Sequence, residues 1–223
     1  MTSSTKVIGL PQLIIVAGPN GAGKSTTSFD ILFDLDIKSF DFDLEFYSSW
    51  EKFSYDPSVE NGIKESIGML FEERKQQAIS SRSSFSFETN YNSPEVLKTI
   101  DEFKVAGFLI ELVFIVLETP EIAIQRVSDR VLRGGHNVDD ETVLRRFYDG
   151  LALLDSTFTH FDLASLYISR MNLITGGVLI EPAKSKVELF NPIPESVIVY
   201  LPKLKSYLYE PDFVQKTKIW KRN

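Results

Sequence analysis

Three glycines, a lysine and a serine recur at fixed spacing in "GPNGAGKS", Gly18 to Ser25, directly after the apolar run "LIIVA". The order matches G-x-x-x-x-G-K-[ST], a loop whose chemistry is phosphate binding. Glycines take positive φ at no steric cost, so the backbone N–H groups of such a loop can converge on an anion. A helix starting near Ser25 adds the positive end of its dipole. Lys24 has the reach to touch β- and γ-phosphate oxygens, and the Ser25 hydroxyl suits Mg²⁺. The expected nucleotide-binding loop is therefore Gly18, Pro19, Asn20, Gly21, Ala22, Gly23, Lys24, Ser25 and Thr26, with ATP and Mg²⁺ as cofactors and Ser25 as metal ligand. Lys24 is expected to face solvent when the site is empty.

Acidic residues come next. "SFDFDLEF" carries Asp41 and Asp43 just past the end of an expected second strand, "IKSFDFD". Ligands of open α/β sheets sit beyond the carboxyl ends of the strands, and strand alternation would put both carboxylates on one side. Transfer of a phosphoryl group to an alcohol benefits from a carboxylate that orients the hydroxyl and accepts its proton. Asp43 is the choice for that base, and Asp41 for a substrate contact; a solvated acidic loop or helix cap is the plainer alternative. "FSFETN" brings Glu88 and Thr89 to the end of another strand, as contacts for substrate hydroxyls or a Mg²⁺-bound water, unless Glu88 caps the helix near Pro94.

The cations follow. Arg126, Arg130 and Arg133 in "RVSDRVLRGGHNVDDETVLRRF" are spaced by four and three, so they share one helix face. Arg145 and Arg146 stand on the next helix, beyond "GGHNVDD". Two arginine-bearing helices around a glycine-containing loop suit a lid that closes cations onto a transferring phosphoryl group and shuts out water. Arg130 and Arg146 are the expected catalytic pair, with Arg126 and Arg133 as further nucleotide contacts. An amphipathic surface helix pairing its arginines with Asp129, Asp139 and Glu141 is the alternative. His136 reads as a loop or capping residue.

Elements must hold these groups in place. "QLIIVA" is a short strand of the continuously apolar kind buried on both faces. Helices are expected over about 25–33 and 59–80, from Pro94, and from Pro120, where proline takes its favoured first-turn position. "FLIELVFIVLET" is the central strand, glycines 134 and 135 end the helix before them, and Asp139 or Asp140 caps the next. Alternating strands and helices give a three-layer α/β fold with a mainly parallel sheet. After about Asp162 the pattern weakens; "SLYISR" and "GGVLIE" read as strands. The expected organisation is one domain over 1–223, with a core at about 12–160 and a C-terminal extension, 161–223, packed on it.

Composition narrows the class. Over 223 residues, 43% are hydrophobic and 25% charged, ordinary for a globular chain. The net charge of −7 argues against a nucleic-acid coat or an anionic membrane surface as partner. With no cysteine and two histidines, disulfides, thiolate metal sites and multi-histidine metal sites drop out. "MTSSTKVIGLPQ" lacks a secretory pattern and no apolar stretch reaches membrane-spanning length, so a cytoplasmic location is expected.

Taken in order, "LIIVAGPNGAGKST", the aspartate after the second strand, "FSFETN" and "IAIQRVSDRVLRGGHNVDDETVLRRFYDGL" resemble the zeta-toxin-like P-loop kinases, in the branch often labelled predicted ABC-type ATPase or zeta toxin domain protein. The resemblance spans roughly Gln12 to Leu154. It implies an ATP- or GTP-dependent kinase acting on a hydroxyl of UDP-N-acetylglucosamine, and an antitoxin as protein partner. It also implies the roles of Lys24, of Asp43 as base, of Glu88 in substrate binding, and of lid arginines among Arg126, Arg130, Arg133 and Arg146. The chain departs from the pattern in three places. Asp41 stands where relatives usually have asparagine, "TNYN" follows Glu88 in place of two threonines and a small residue, and "SLYISRMNLITGG" lacks an Asp-Asn-Ser segment. All three fall in contacts to the acceptor. No LSGGQ-like signature is present, which argues against a transporter ATPase. Two readings compete with a kinase acting on a small hydroxyl acceptor: an NTP-dependent switch or ATPase in which Asp43 holds a Mg²⁺-bound water, and a non-catalytic nucleotide-binding module.

Overall fold

The computed structural model describes residues 9–133, 135, 137–170 and 173–209. Strand β1 (Gln12–Ala17) is followed by helices α1 (Lys24–Leu32), α2 (Phe42–Lys52) and α3 (Glu60–Ser81), then β2 (Phe85–Thr89), α4 (Glu95–Val105), β3 (Leu109–Leu117), α5 (Pro120–Leu132) and α6 (Asp140–Thr157). The chain continues through β4 (Leu163–Arg170), β5 (Leu173–Glu181), β6 (Lys186–Leu189), α7 (Glu195–Ile198) and α8 (Pro202–Tyr209). One six-stranded sheet has the order β2-β1-β3-β4-β5-β6. Its first four strands are parallel; β5 pairs antiparallel with β4, and β6 antiparallel with β5. The architecture is a three-layer P-loop NTPase fold, with α5 and α6 as a helical lid beside the loop. Among the described residues, no helix is long and apolar enough to cross a membrane.

The order of burial explains the arrangement. Leu13 to Ala17 of β1 and Leu112 to Leu117 of β3 are all buried, as strands covered on both faces require. β1 lies between β2 and β3, so the loop that leaves its carboxyl end hangs from the best-packed part of the sheet. Behind it, Lys75 of α3 is buried and paired at 2.6 Å with both Glu72 and Glu102, which ties α3 to α4.

Two regions differ from expectation. The second strand is reduced to a single bridge, Phe40 with Phe87, carried by Phe40 N to the Ser86 carbonyl (2.8 Å) and Glu88 N to the Phe40 carbonyl (2.8 Å). The reason is Asp41, whose side chain accepts from the backbone N–H of Asp43 (3.0 Å) and Leu44 (3.1 Å) and so starts α2 at once. Asp41 and Asp43 therefore stand at the cap and in the first turn of a helix, not on one side of a strand. Past Asp162, β4, β5 and β6 form half of the sheet. The α8 segment is fixed to α6 through buried Asp155, which accepts from Lys203 N (3.2 Å) and Leu204 N (2.8 Å).

Candidate active site

The loop between β1 and α1 is shaped by what its glycines must avoid. Gly18 has φ +144°, and a Cβ there would lie 2.5 Å from the Ile115 carbonyl oxygen of β3. Gly21, at φ +74°, would place a Cβ 2.9 Å from Arg126 Cβ. Gly23 is the N-cap of α1 and offers no side-chain acceptor, so the first turn of α1 keeps N–H groups for an anion.

Lys24 does not face solvent. It folds back over the loop, with Nζ donating to the carbonyls of Gly18 (3.0 Å) and Pro19 (3.2 Å) and to Asn90 Oδ1 (3.0 Å). Burial pushes its ammonium down to about 8, against the pull of Asp43, Glu88 and Asp41 and with the help of Arg130. The expectation of exposure fails because the loop curls around the lysine and leaves carbonyls pointing inward.

The Ser25 hydroxyl stands between two carboxylates, 3.1 Å from Asp41 Oδ2 and 2.9 Å from Glu88 Oε2. Glu88 also accepts from Ser28 at 2.5 Å and is 7% exposed. Burial lifts its carboxyl above the ordinary range, as does Asp41, while the two serines and Lys24 hold it down. Glu88 caps no helix: both its oxygens are engaged with α1. Asp41 divides its carboxylate between the α2 cap and Ser25, whereas Asp43, one residue into the helix, is exposed and its side-chain oxygens accept no hydrogen bond among the described residues. Thr89 turns inward to accept from Tyr91 N (3.0 Å), so its hydroxyl is spent on the turn.

This oxygen set fits Mg²⁺. Among the described residues no cluster of three acidic or imidazole ligands exists. A hydroxyl flanked by two carboxylates, with room for phosphate and water oxygens, is the kind of site that ion takes.

The arginines close the site from the other side. Arg126 Nη1 donates to the Gly21 carbonyl (3.1 Å) and to Ser169 Oγ of β4 (2.7 Å). Arg146 Nη1 reaches buried Asn20 Oδ1 at 3.3 Å. Arg126, Arg130 and Arg133 line a cavity of about 480 Å³ together with Ala22, Gly23 and Thr26, and Ser169 and Ile174 form its far wall. Of the acids weighed as partners for these arginines, Asp129 accepts from Gln125 (2.9 Å) and Asp139 caps α6 through Thr142 N (2.8 Å). Gly134 and His136 lie outside the described residues.

Sequence reading missed five residues. Asn90 follows "FET" directly, and its place at a parallel strand's carboxyl end was the available signal. Ser28 lies one helical turn after Lys24, which puts it on the same face. Ser169 and Ile174 carry no signal, because they come from strands whose place in the sheet was not expected. Tyr47, one turn after Asp43 on α2, is pushed up to about 12 by burial first and by Asp43 next, with Arg130 and Arg146 opposing. Asp43, Arg130, Arg146 and Tyr47 thus share one electrostatic neighbourhood.

A family model described as Zeta toxin matches residues 45–176, more than half of the chain, from the first turn of α2 to β5. No curated protein matches. Among solved structures, the PezAT chromosomal toxin–antitoxin system of the human pathogen Streptococcus pneumoniae has a similar chain, with TM-score 0.54 and 17% identity over 94% of this chain and 92% of that one. The AvrRxo1-ORF1:-ORF2 structure with ATP matches with TM-score 0.51 and 12% identity, over 78% of this chain and 62% of that one. At such identities the likeness is one of fold.

Proposed function

The chain belongs to the Zeta toxin family, and from that premise we propose that it is a kinase that transfers the γ-phosphoryl group of ATP or GTP, with Mg²⁺, to a hydroxyl of a small acceptor. The observation that carries the reading is the division of labour between two neighbouring aspartates. Asp41 is bound to the α2 cap and to Ser25, while Asp43 presents a carboxylate that holds no hydrogen bond among the described residues, in the field shared with Tyr47, Arg130 and Arg146. A switch needs only the first; a kinase needs a base as well.

Each group then has a role. The loop N–H groups and the α1 N-terminus hold the β- and γ-phosphates, and Lys24 leaves its carbonyl partners to follow the γ-phosphoryl oxygens. Ser25, with Asp41 and Glu88 around it, would hold Mg²⁺, which supplies charge neutralisation across the phosphates. Asp43 orients the acceptor hydroxyl and takes its proton. Arg130 and Arg146 meet charge on the transferring group, and Arg126 and Arg133 bound the cavity for the rest of the nucleotide. Nucleotide sugars such as UDP-N-acetylglucosamine are the first acceptors to try. The structural likeness to a toxin–antitoxin protein supports a protein antitoxin as partner.

The experiment is ADP release with Mg²⁺·ATP alone and with a panel of hydroxyl acceptors headed by nucleotide sugars. Acceptor-dependent ADP and a phosphorylated product are expected. Turnover that is equally fast without acceptor would overturn the kinase reading in favour of an ATPase or switch.

A further inference from the structure

We propose that Asn90 is a positioning residue for phosphoryl transfer: it parks the Lys24 ammonium in the empty site, and nucleotide must take the cation from it. The proposal rests on the kinase reading above. A lysine ammonium has three N–H donors. Here all three have protein acceptors, the carbonyls of Gly18 and Pro19 at 3.0 and 3.2 Å and Asn90 Oδ1 at 3.0 Å. None is left for a phosphate. The first two acceptors belong to the loop that wraps the nucleotide. Asn90 comes from across the site, at the end of β2, and is the one side chain of the three.

The turn that carries Asn90 is fixed in place. Tyr91 holds a left-handed backbone at φ +55°, its N–H donates to Thr89 Oγ1 at 3.0 Å, and its buried hydroxyl pairs with Thr157 of α6 at 2.8 Å. A left-handed conformation in a bulky residue persists only where the surroundings over-determine it. Gly150 of α6 lies against the same turn: a Cβ there would stand 3.1 Å from the Asn90 carbonyl oxygen. One turn earlier, α6 sends Arg146 to Asn20 in the loop, at 3.3 Å. A single helix of the lid therefore touches both sides of the Lys24–Asn90 contact. Nucleotide arriving without Lys24 finds the loop but not the cation, so the parked state weakens nucleotide binding and slows hydrolysis when no acceptor is present.

The test measures Mg²⁺·ATP binding and acceptor-free ADP release for Asn90→Ala and Asn90→Asp in the full chain. Asn90→Ala frees one donor of Lys24. Its Kd for ATP is expected to fall about three- to tenfold, the net worth of a typical hydrogen bond, and ADP release without acceptor to rise. Asn90→Asp replaces a neutral acceptor with an anion, and its Kd for ATP is expected to rise. Damage to the turn alone would weaken binding in both variants and would overturn the proposal. Asn90→Ser, which keeps a shorter acceptor, is expected to lie between wild type and Asn90→Ala. In a Lys24→Ala background Asn90→Ala and Asn90→Ser are expected to leave ATP affinity unchanged, because their effect runs through Lys24. Persistence of the effect there, or weaker ATP binding by Asn90→Ala in the Lys24 chain, overturns the role. These readings need no acceptor. A chain that binds ATP with the expected sign changes but phosphorylates nothing would sink the kinase reading and leave only the Lys24–Asn90 control of nucleotide binding.

Discussion

The two edges of one sheet treat buried charge in opposite ways. At the carboxyl edge, Glu88 is buried but accepts from Ser25 and Ser28 and lies in the field of Lys24. In the amino half, half-buried Glu111 of β3 stands in register between Ile14 of β1 and Leu163 of β4. It has no hydrogen-bond or ion-pair partner among the described residues, and burial alone pushes its carboxyl up to about 7. Lys75 shows that the chain can bury a charge with good partners away from the site. Partnered carboxylates held where nucleotides bind are pre-organised for chemistry. A lone one on the other side is a stability cost with no compensating contact.

The sharpest way to break the comparison is at the carboxyl edge. Lys24→Ala is expected to reduce phosphoryl transfer to background while the melting temperature stays within a few degrees of wild type, since the loop and α1 keep their backbone bonds. Retained turnover would detach the partnered charges from catalysis. Asp43→Asn keeps shape and removes basicity. Turnover should fall by a factor on the order of 10²–10⁴ with ATP affinity little changed. A strong loss of Mg²⁺·ATP affinity with no separate effect on turnover would make Asp43 a metal-shell residue. A larger turnover loss from Asp41→Asn would move the base to the capping aspartate. Arg146→Lys keeps the charge and loses the planar fork that meets Asn20, and about a tenfold loss of kcat is expected. Full activity would remove Arg146 from the phosphate site.

The smallest effect tests the other edge, on stability and not on rate. The folded Glu111 carboxyl titrates near 7 and the unfolded one near 4.5. Between those values the folded state binds the extra proton. The contribution is thus fully present below pH 4.5 and lost as pH rises through 7. The whole loss is at most roughly 3 kcal/mol. Glu111→Gln should flatten this part of the pH–stability curve and raise the melting temperature at pH 8, with kcat unchanged. Equal melting of variant and wild type at pH 5 and pH 8 would mean that Glu111 is not the isolated charge described.

How much of this was legible in the sequence follows the same division. β1, the loop and β3 were readable because strands buried on both faces leave continuous apolar runs, and glycines mark where the backbone must turn. The "DFDLE" start of α2 misled because Phe40 and Phe42 alternate like a strand. The competing signal was acidic residues at a helix cap and first turn, and it won. β5 and β6 were obscure because an antiparallel strand pair at the sheet's edge is only partly buried, and the pairing of β4 with β5 shifts register at Leu166 and Tyr167. "SLYISR" and "GGVLIE" read as strands, but nothing local placed them in the sheet beside β3, and that hid Ser169 of β4 and Ile174 of β5. The arginine spacing was visible, but the partners Asn20 and Ser169 lie 126 and 43 residues away along the chain, a distance that no local pattern spans.

The far wall of the candidate nucleotide cavity, Ser169 and Ile174, has a consequence in time. The loop is made early in synthesis, yet Ile174 follows Ser25 by 149 positions. At about 5–20 residues per second, roughly 7–30 s of translation separate the two. A chain still growing on the ribosome thus carries every charged group of the site before it has an enclosed place for the nucleotide. Its enzymatic life begins only when the late hairpin docks.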